Sequence, residues 1–246
     1  MQTSASPFSG IPPVVKNLLI LNIICFFGSM FLGHDQAVRM FGVYYPDSPF
    51  FRIWQVITYM FMHGSFTHLF FNMFTFFMFG PVLEQVMGSK RFINFYLITG
   101  LGALALQFAV QAVEVYGIAG TINASQWLEY NMIQGRVYTD HPNLGQGGLG
   151  KLVSIYGTPM VGASGAIYGL LIAFAVLFPN TSLYLMFIPV PIKAKYFVAG
   201  LIALDLFLGV SRVAGSSVAH FAHIGGALFG YLLLKAWKIG RADRWY

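Results

Sequence analysis

The chain has 246 residues, 57% of them hydrophobic and 9% charged, against about 25% charged in a soluble domain, and its mean hydropathy is +0.68. That balance excludes a water-soluble protein. The net charge of +6 comes from 14 lysines and arginines against 8 acids, too sparse for a continuous phosphate-binding face, so nucleic acid is a poor match as a partner. A lone cysteine, Cys25, supports neither a disulfide framework nor a cysteine-rich metal site, and any chemistry falls to Ser, His, Asn or a carboxylate.

A membrane-crossing helix needs about 20 mostly apolar residues. Six stretches read as such helices, at about 14–32, 61–83, 92–113, 159–178, 196–210 and 217–237. The fold class that follows is all-α, a polytopic membrane protein with a six-transmembrane-helix bundle. Residues 1–13 form a short segment before the membrane domain at 14–238, and 239–246 a tail after it. The first stretch lacks a small-x-small cleavage site and reads as an uncleaved helix. An even number of spans leaves both termini on one side. Lys16, Lys90, Arg91, Lys193, Lys195, Lys235, Lys238, Arg241 and Arg244 fall on that side, with Arg39, Arg52, Arg136, Lys151 and Arg212 opposite. Positive flanks resist translocation, so both termini are expected in the cytosol.

Two outer loops are long. Residues 33–60 hold Pro46, Pro49, Phe50, Phe51 and Trp54, a composition suited to the membrane interface. Residues 114–158 are rich in Gly and polar side chains and read as an extramembrane insertion. Within it, residues 145–151 spell GQGGLGK, but Leu152 stands where a phosphate loop has Ser or Thr and no apolar strand precedes it, so a flexible loop is expected. Asn123-Ala124-Ser125 fits a glycosylation sequon and carries little weight.

Strongly polar side chains are costly in a bilayer, and inside a span they point to function by default. The second stretch carries His63, His68 and Asn72, the fourth Ser164 between Gly162 and Gly165, and the sixth His220 and His223. Each set begins near the outer end of its helix, which brings Ser164 and His223 to one depth. A serine hydroxyl needs an adjacent base, and its tetrahedral adduct needs donors aimed at the oxyanion. His68 and Asn72, at i and i+4, share a helical face from which both can donate. Gly226 and Gly230 make a small-xxx-small seam suited to a close crossing with the glycines of the fourth helix. At 100° per residue His223 lies about 60° and 20° from those two glycines, and His220 about 120° and 80°. His223 is therefore the expected base. Asp205, alone in the fifth stretch, reads as a paired structural carboxylate, with a proton relay as the alternative, and no carboxylate is visible beside His223.

His63-Gly-Ser-Phe-Thr-His68-Leu-Phe-Phe-Asn72, Gly162-Ala-Ser164-Gly165 and Ala222-His223-Ile-Gly-Gly226 with Gly230 together resemble the rhomboid intramembrane serine proteases, in that chain order. The resemblance implies a rhomboid-like bundle, with Ser164 as nucleophile, His223 as general base, and His68 and Asn72 as oxyanion donors beside the Ser164 backbone N–H. It also implies that Tyr168 packs on the catalytic histidine, that His63 is structural and that Glu84 matches a family position at the inner end of its helix. By the same resemblance the fifth helix and residues 211–217 act as gate and cap. Two departures stand out. The family's Trp-Arg pair is here Trp54-Gln55, and the 114–158 insertion is longer than in compact bacterial members.

The expected function is that of an intramembrane serine endopeptidase, cutting in or next to transmembrane segments of membrane proteins through a Ser-His dyad. Its partners are transmembrane substrates and the bilayer, its setting the inner cell membrane, and no cofactor or metal is called for. The alternative is a catalytically inactive rhomboid-like protein that binds membrane helices, for which loss of Ser or His at the dyad would be expected. A transporter built on Asp205, Asn94 and Gln107 lacks an internal repeat. A metalloprotease built on His63, His68, His220 and His223 lacks the HExxH spacing.

Overall fold

In hydrocarbon a backbone must satisfy its own hydrogen bonds, so apolar stretches of this length fold as helices. The computed structural model describes residues 10–131, 136–138, 146–185, 188–211 and 220–240. In chain order the helices are α1 (Pro13–Phe31), α2 (His34–Phe41), α3 (Gln55–Thr58), α4 (Phe66–Met87), α5 (Ser89–Ala119), α6 (Gln146–Gly157), α7 (Ser164–Leu177), α8 (Ala194–Ser211) and α9 (His220–Ala236). Two small antiparallel hairpins interrupt them, β1 (Glu129–Asn131) with β2 (Arg136–Tyr138), and β3 (Ser182–Leu185) with β4 (Ile188–Lys193). The expected cap at 211–217 lies almost wholly outside the described residues, as do most of the N-terminal segment and the tail.

The six predicted stretches correspond to α1, α4, α5, α7, α8 and α9. Of these α1, α4, α5 and α8 are long and apolar enough to cross a bilayer. Phe31, Val113 and Phe207 are 92%, 73% and 66% exposed, which only an apolar surrounding tolerates over so large a surface. The molecule is a multi-pass membrane protein. The α7 helix has only 14 residues, about 21 Å at 1.5 Å per residue, less than the hydrocarbon thickness of about 30 Å. By itself α7 is too short to cross that layer.

Three expectations need correction. The fourth stretch is not helical from 159: Met160 pairs with Val43 through two backbone hydrogen bonds of 2.8 and 2.9 Å, the Gly162 N–H donates to the Tyr59 carbonyl at 2.9 Å, and Gly162 has φ +126°, which stops a helix there. The second helix begins at Phe66 rather than 61, because Ser65 caps it by accepting the His68 N–H at 3.1 Å. His63 therefore precedes α4. The GQGGLGK segment is not a flexible loop, since α6 runs from Gln146 through it.

That insertion has a core of its own. Leu152, Ile155 and Tyr156 of α6 pack with Tyr45, Val115, Ala124 and Leu128. The Tyr156 hydroxyl donates to Asp47 Oδ2 at 2.8 Å and accepts the Ala124 N–H at 2.9 Å, and Ser48 Oγ donates to the Tyr156 carbonyl at 2.8 Å. Burial pushes the Tyr156 phenol up. These bonds join the insertion to the loop of residues 33–60.

At the other end, Glu84 closes the start of α1. Its Oε1 accepts the Val14 N–H at 3.1 Å and the Ser89 hydroxyl at 2.6 Å, and its Oε2 accepts the Val15 N–H at 2.8 Å. A carboxylate on unpaired N–H groups at a helix N-terminus is favoured by both hydrogen bonding and the helix dipole.

The centre of the bundle is a three-helix contact of α5, α7 and α9 built on glycines. A Cβ on Gly226 would stand 1.8 Å from the Gly165 carbonyl oxygen, and one on Gly230 2.8 Å from that of Gly169. A Cβ on Gly165 would meet Ala103 at 2.5 Å, and one on Gly169 would meet Thr99 at 2.6 Å. Backbones in that contact leave no room for a side chain.

Candidate active site

The start of α7 is fixed before any chemistry is considered. With Met160 paired to Val43 and the Gly162 N–H bonded to the Tyr59 carbonyl, the first intrahelical bond runs from Ile167 N to the Ala163 carbonyl at 3.0 Å. Ser164 is the first helical residue, and its own N–H stands outside the helical ladder, at the positive end of the helix dipole. Its side chain meets α9: Ser164 Oγ lies 2.9 Å from His223 Nε2. The glycine seam makes this distance possible, because His223 lies one turn before Gly226.

The imidazole is held on two further sides. Tyr168, one turn along α7, stacks on it with ring centroids 4.3 Å apart and planes 7° from parallel. Asp205 Oδ1, from α8, lies 3.2 Å from His223 Nδ1 and 2.6 Å from His220 Nδ1. The expectation of no carboxylate beside His223 is thereby corrected. Asp205 is 6% exposed, so the carboxylate is desolvated and its hydrogen bonds are correspondingly strong.

Opposite Ser164 stands the start of α4. A Cβ on Gly162 would lie 2.8 Å from His68 Cε1, 2.9 Å from His68 Nε2 and 3.7 Å from Ser164 Oγ. The absence of a Cβ there thus opens the space between the His68 ring and the serine hydroxyl. Asn72 is buried one turn further on, and one of its amide hydrogens is donated to the His68 carbonyl at 2.8 Å, which leaves the other for a ligand. His63, fully buried, packs edge-on against His68 with centroids 5.2 Å apart. The structure thus gathers Ser164, His223, Tyr168, His68, His63 and Gly162 in one place, with Asn72 one turn along α4 from His68 and with Gly226 and Gly230 forming the contact behind them. Asp205 and His220 join them, and the sequence signal for Asp205 was its presence as a single carboxylate in an apolar helix.

Asp205, His220 and His223 each offer a ligand atom, all within 4.8 Å of one another. Donors around a tetrahedral zinc at about 2.0–2.1 Å stand about 3.3 Å apart. The 2.6 Å between Asp205 Oδ1 and His220 Nδ1 is a hydrogen-bond separation, so the three residues as placed do not fit a zinc ion.

The rhomboid domain family model matches residues 51–238. The chain belongs to the rhomboid family. It is similar to Rhomboid protease AarA of Providencia stuartii, 27% identical over 236 residues that cover 89% of this chain and 70% of the relative. It is also similar to Rhomboid protease GlpG of Haemophilus influenzae, 26% identical over 175 residues, 65% of this chain and 90% of the relative. A third similarity is to the mitochondrial Rhomboid protein 1 of Saccharomyces cerevisiae, 28% identical over 187 residues, 76% of this chain and 42% of the relative.

In this rhomboid Trp54-Gln55 still ties the loop of residues 33–60 together. Buried Gln55 accepts the Arg52 N–H at 2.9 Å and donates to the Phe50 and Met40 carbonyls at 3.2 and 3.4 Å, while Trp54 Nε1 donates to Met40 at 3.2 Å. An amide thus serves where the resemblance has an arginine.

Proposed function

We propose that this rhomboid is an intramembrane serine endopeptidase that hydrolyses peptide bonds in or next to transmembrane segments of membrane proteins, with Ser164 as nucleophile and His223 as base. The observation that carries the reading is the 2.9 Å contact between Ser164 Oγ and His223 Nε2, within the reach required of a nucleophile and its base. The protease names of AarA and GlpG agree with it.

In the first step Ser164 Oγ bonds to the substrate carbonyl carbon while its proton passes to His223 Nε2. The carbonyl oxygen takes up the negative charge and is met by the Ser164 N–H, the His68 ring N–H and the free Asn72 amide hydrogen. Donors aimed at that oxygen, with the α7 dipole behind them, stabilise the adduct more than the ground state. The C–N bond then breaks, and the Nε2 proton goes to the leaving amine. Water deprotonated by the same imidazole hydrolyses the acyl-serine. The substrate is a transmembrane protein, the setting is the inner cell membrane, and both termini face the cytosol.

The inactive, helix-binding alternative is disfavoured because serine and imidazole stand at hydrogen-bonding distance. The test is cleavage of a model transmembrane substrate by the purified chain in lipid vesicles, with and without EDTA. Chelator-independent cleavage that Ser164→Ala abolishes is expected. Equal turnover by Ser164→Ala would overturn the reading.

A further inference from the structure

A dyad needs only Ser164 and His223, yet a third helix brings a desolvated carboxylate to the far side of the same imidazole. The Asp205 Oδ1 contact with His223 Nδ1, at 3.2 Å, and the Nε2 contact with Ser164, at 2.9 Å, lie on the two nitrogens of one ring. A carboxylate accepts only, so Nδ1 must be the protonated nitrogen for that bond to form. Nε2 is then left with the lone pair that the serine proton needs. Tyr168 fixes the ring plane by stacking but acts on neither nitrogen. Among the described residues, Asp205 is the group placed to select the tautomer.

We propose that Asp205 is a positioning residue for the Ser164–His223 pair, its Oδ1 holding the His223 Nδ1–H so that Nε2 faces Ser164 as the acceptor, and balancing the imidazolium that forms when the serine proton arrives. Asp205 takes up no proton. The serine proton goes to Nε2, Nδ1 keeps its own throughout, and the Nε2 proton leaves with the amine. A triad-like arrangement of this kind holds the base and offsets its transient charge. The shorter contact to His220 Nδ1, 2.6 Å, ties the carboxylate to α9 from a second side and limits its rotation. This inference rests on the protease reading above.

The experiment compares wild type, Ser164→Ala and Asp205→Asn of the full chain in lipid vesicles, with a fluorogenic transmembrane substrate. An asparagine is isosteric, but its amide hydrogens favour the opposite imidazole tautomer. The aspartate-to-asparagine change in the chymotrypsin-type triad costs about 10⁴-fold in kcat. Here kcat is expected to fall at least about 10²-fold with KM within about threefold of wild type. Wild-type kcat in Asp205→Asn, alongside an inactive Ser164→Ala, would overturn this inference and leave the protease reading standing. Absence of cleavage by wild type would instead overturn the protease reading. A second measurement needs no Asp205 variant to fold: the ring ¹⁵N spectrum of histidine-labelled wild type, with His223 assigned by difference from His223→Asn. A protonated Nδ1 and a bare Nε2 on neutral His223 are expected, and the reverse tautomer would refute the proposal.

Discussion

The glycine seam between α7 and α9 sets the geometry of Ser164 and His223, the proposed nucleophile and base, and Gly226→Ala perturbs it with a single methyl. The added Cβ would lie 1.8 Å from the Gly165 carbonyl oxygen and 2.7 Å from its carbon, where real Cβ atoms keep beyond 3.0 Å. The obstacle is backbone, with no side chain to rotate away, so the helices must part by about 1.2 Å at this level. His223 lies one turn away on the same helix, and its 2.9 Å bond to Ser164 lengthened by about 1 Å exceeds the hydrogen-bonding range. A misplacement of about 1 Å at a reacting pair costs on the order of 10²-fold in rate, and overpacking a tight contact costs about 1–3 kcal/mol in stability. The assay is the second-order rate of fluorophosphonate labelling in vesicles, with the thermal midpoint measured on the same samples. Gly200→Ala on α8, where a Cβ meets nothing within 4 Å, is the control and should label at the wild-type rate. Labelling of Gly226→Ala at that rate would refute the argument that the seam positions the base.

Asn72→Ala should lower kcat by about 2.7–4 kcal/mol equivalent while KM changes little, because an oxyanion donor acts in the transition state; a change confined to KM in steady-state cleavage would make Asn72 a packing residue. Glu84→Ala leaves the part-buried Val14 and buried Val15 N–H groups without their acceptor, so equilibrium unfolding should show a loss of about 2–5 kcal/mol, and an unchanged midpoint would contradict the capping role. Tyr156→Phe removes the hydroxyl that joins Asp47 to Ala124; limited proteolysis should then cut faster between residues 119 and 158 while fluorophosphonate labelling stays within twofold, and equal proteolysis would show that the bond does not hold the insertion.

The six apolar stretches in the sequence all become helices, four of them long enough to cross a bilayer, because hydrocarbon leaves a backbone little alternative to the helix. The ends were less legible. Residues 159–163 are as apolar as a span, and the pairing of Met160 with Val43 and the positive φ of Gly162 keep them out of the helix. Composition alone does not reveal such long-range backbone pairing. The GQGGLGK segment looked like a loop for the opposite reason: its glycines have low helix propensity, but Leu152, Ile155 and Tyr156 repeat at helical spacing onto the Tyr45 cluster. The serine, histidine and asparagine positions were legible because polar side chains are conspicuous in an apolar helix. Asp205 was equally conspicuous, but its partners lie 15 and 18 residues on, and nothing local states how α8 is rotated against α9.

The central claim is that Ser164 is the nucleophile activated by His223. It is tested most directly by treating the vesicle-reconstituted chain with a fluorophosphonate and locating the adduct by peptide mass spectrometry, in wild type and in the His223→Ala and His220→Ala variants. The account predicts a single adduct on Ser164 in wild type, retained in His220→Ala and lost in His223→Ala. An adduct on another residue, or undiminished labelling of Ser164 in His223→Ala, would contradict it.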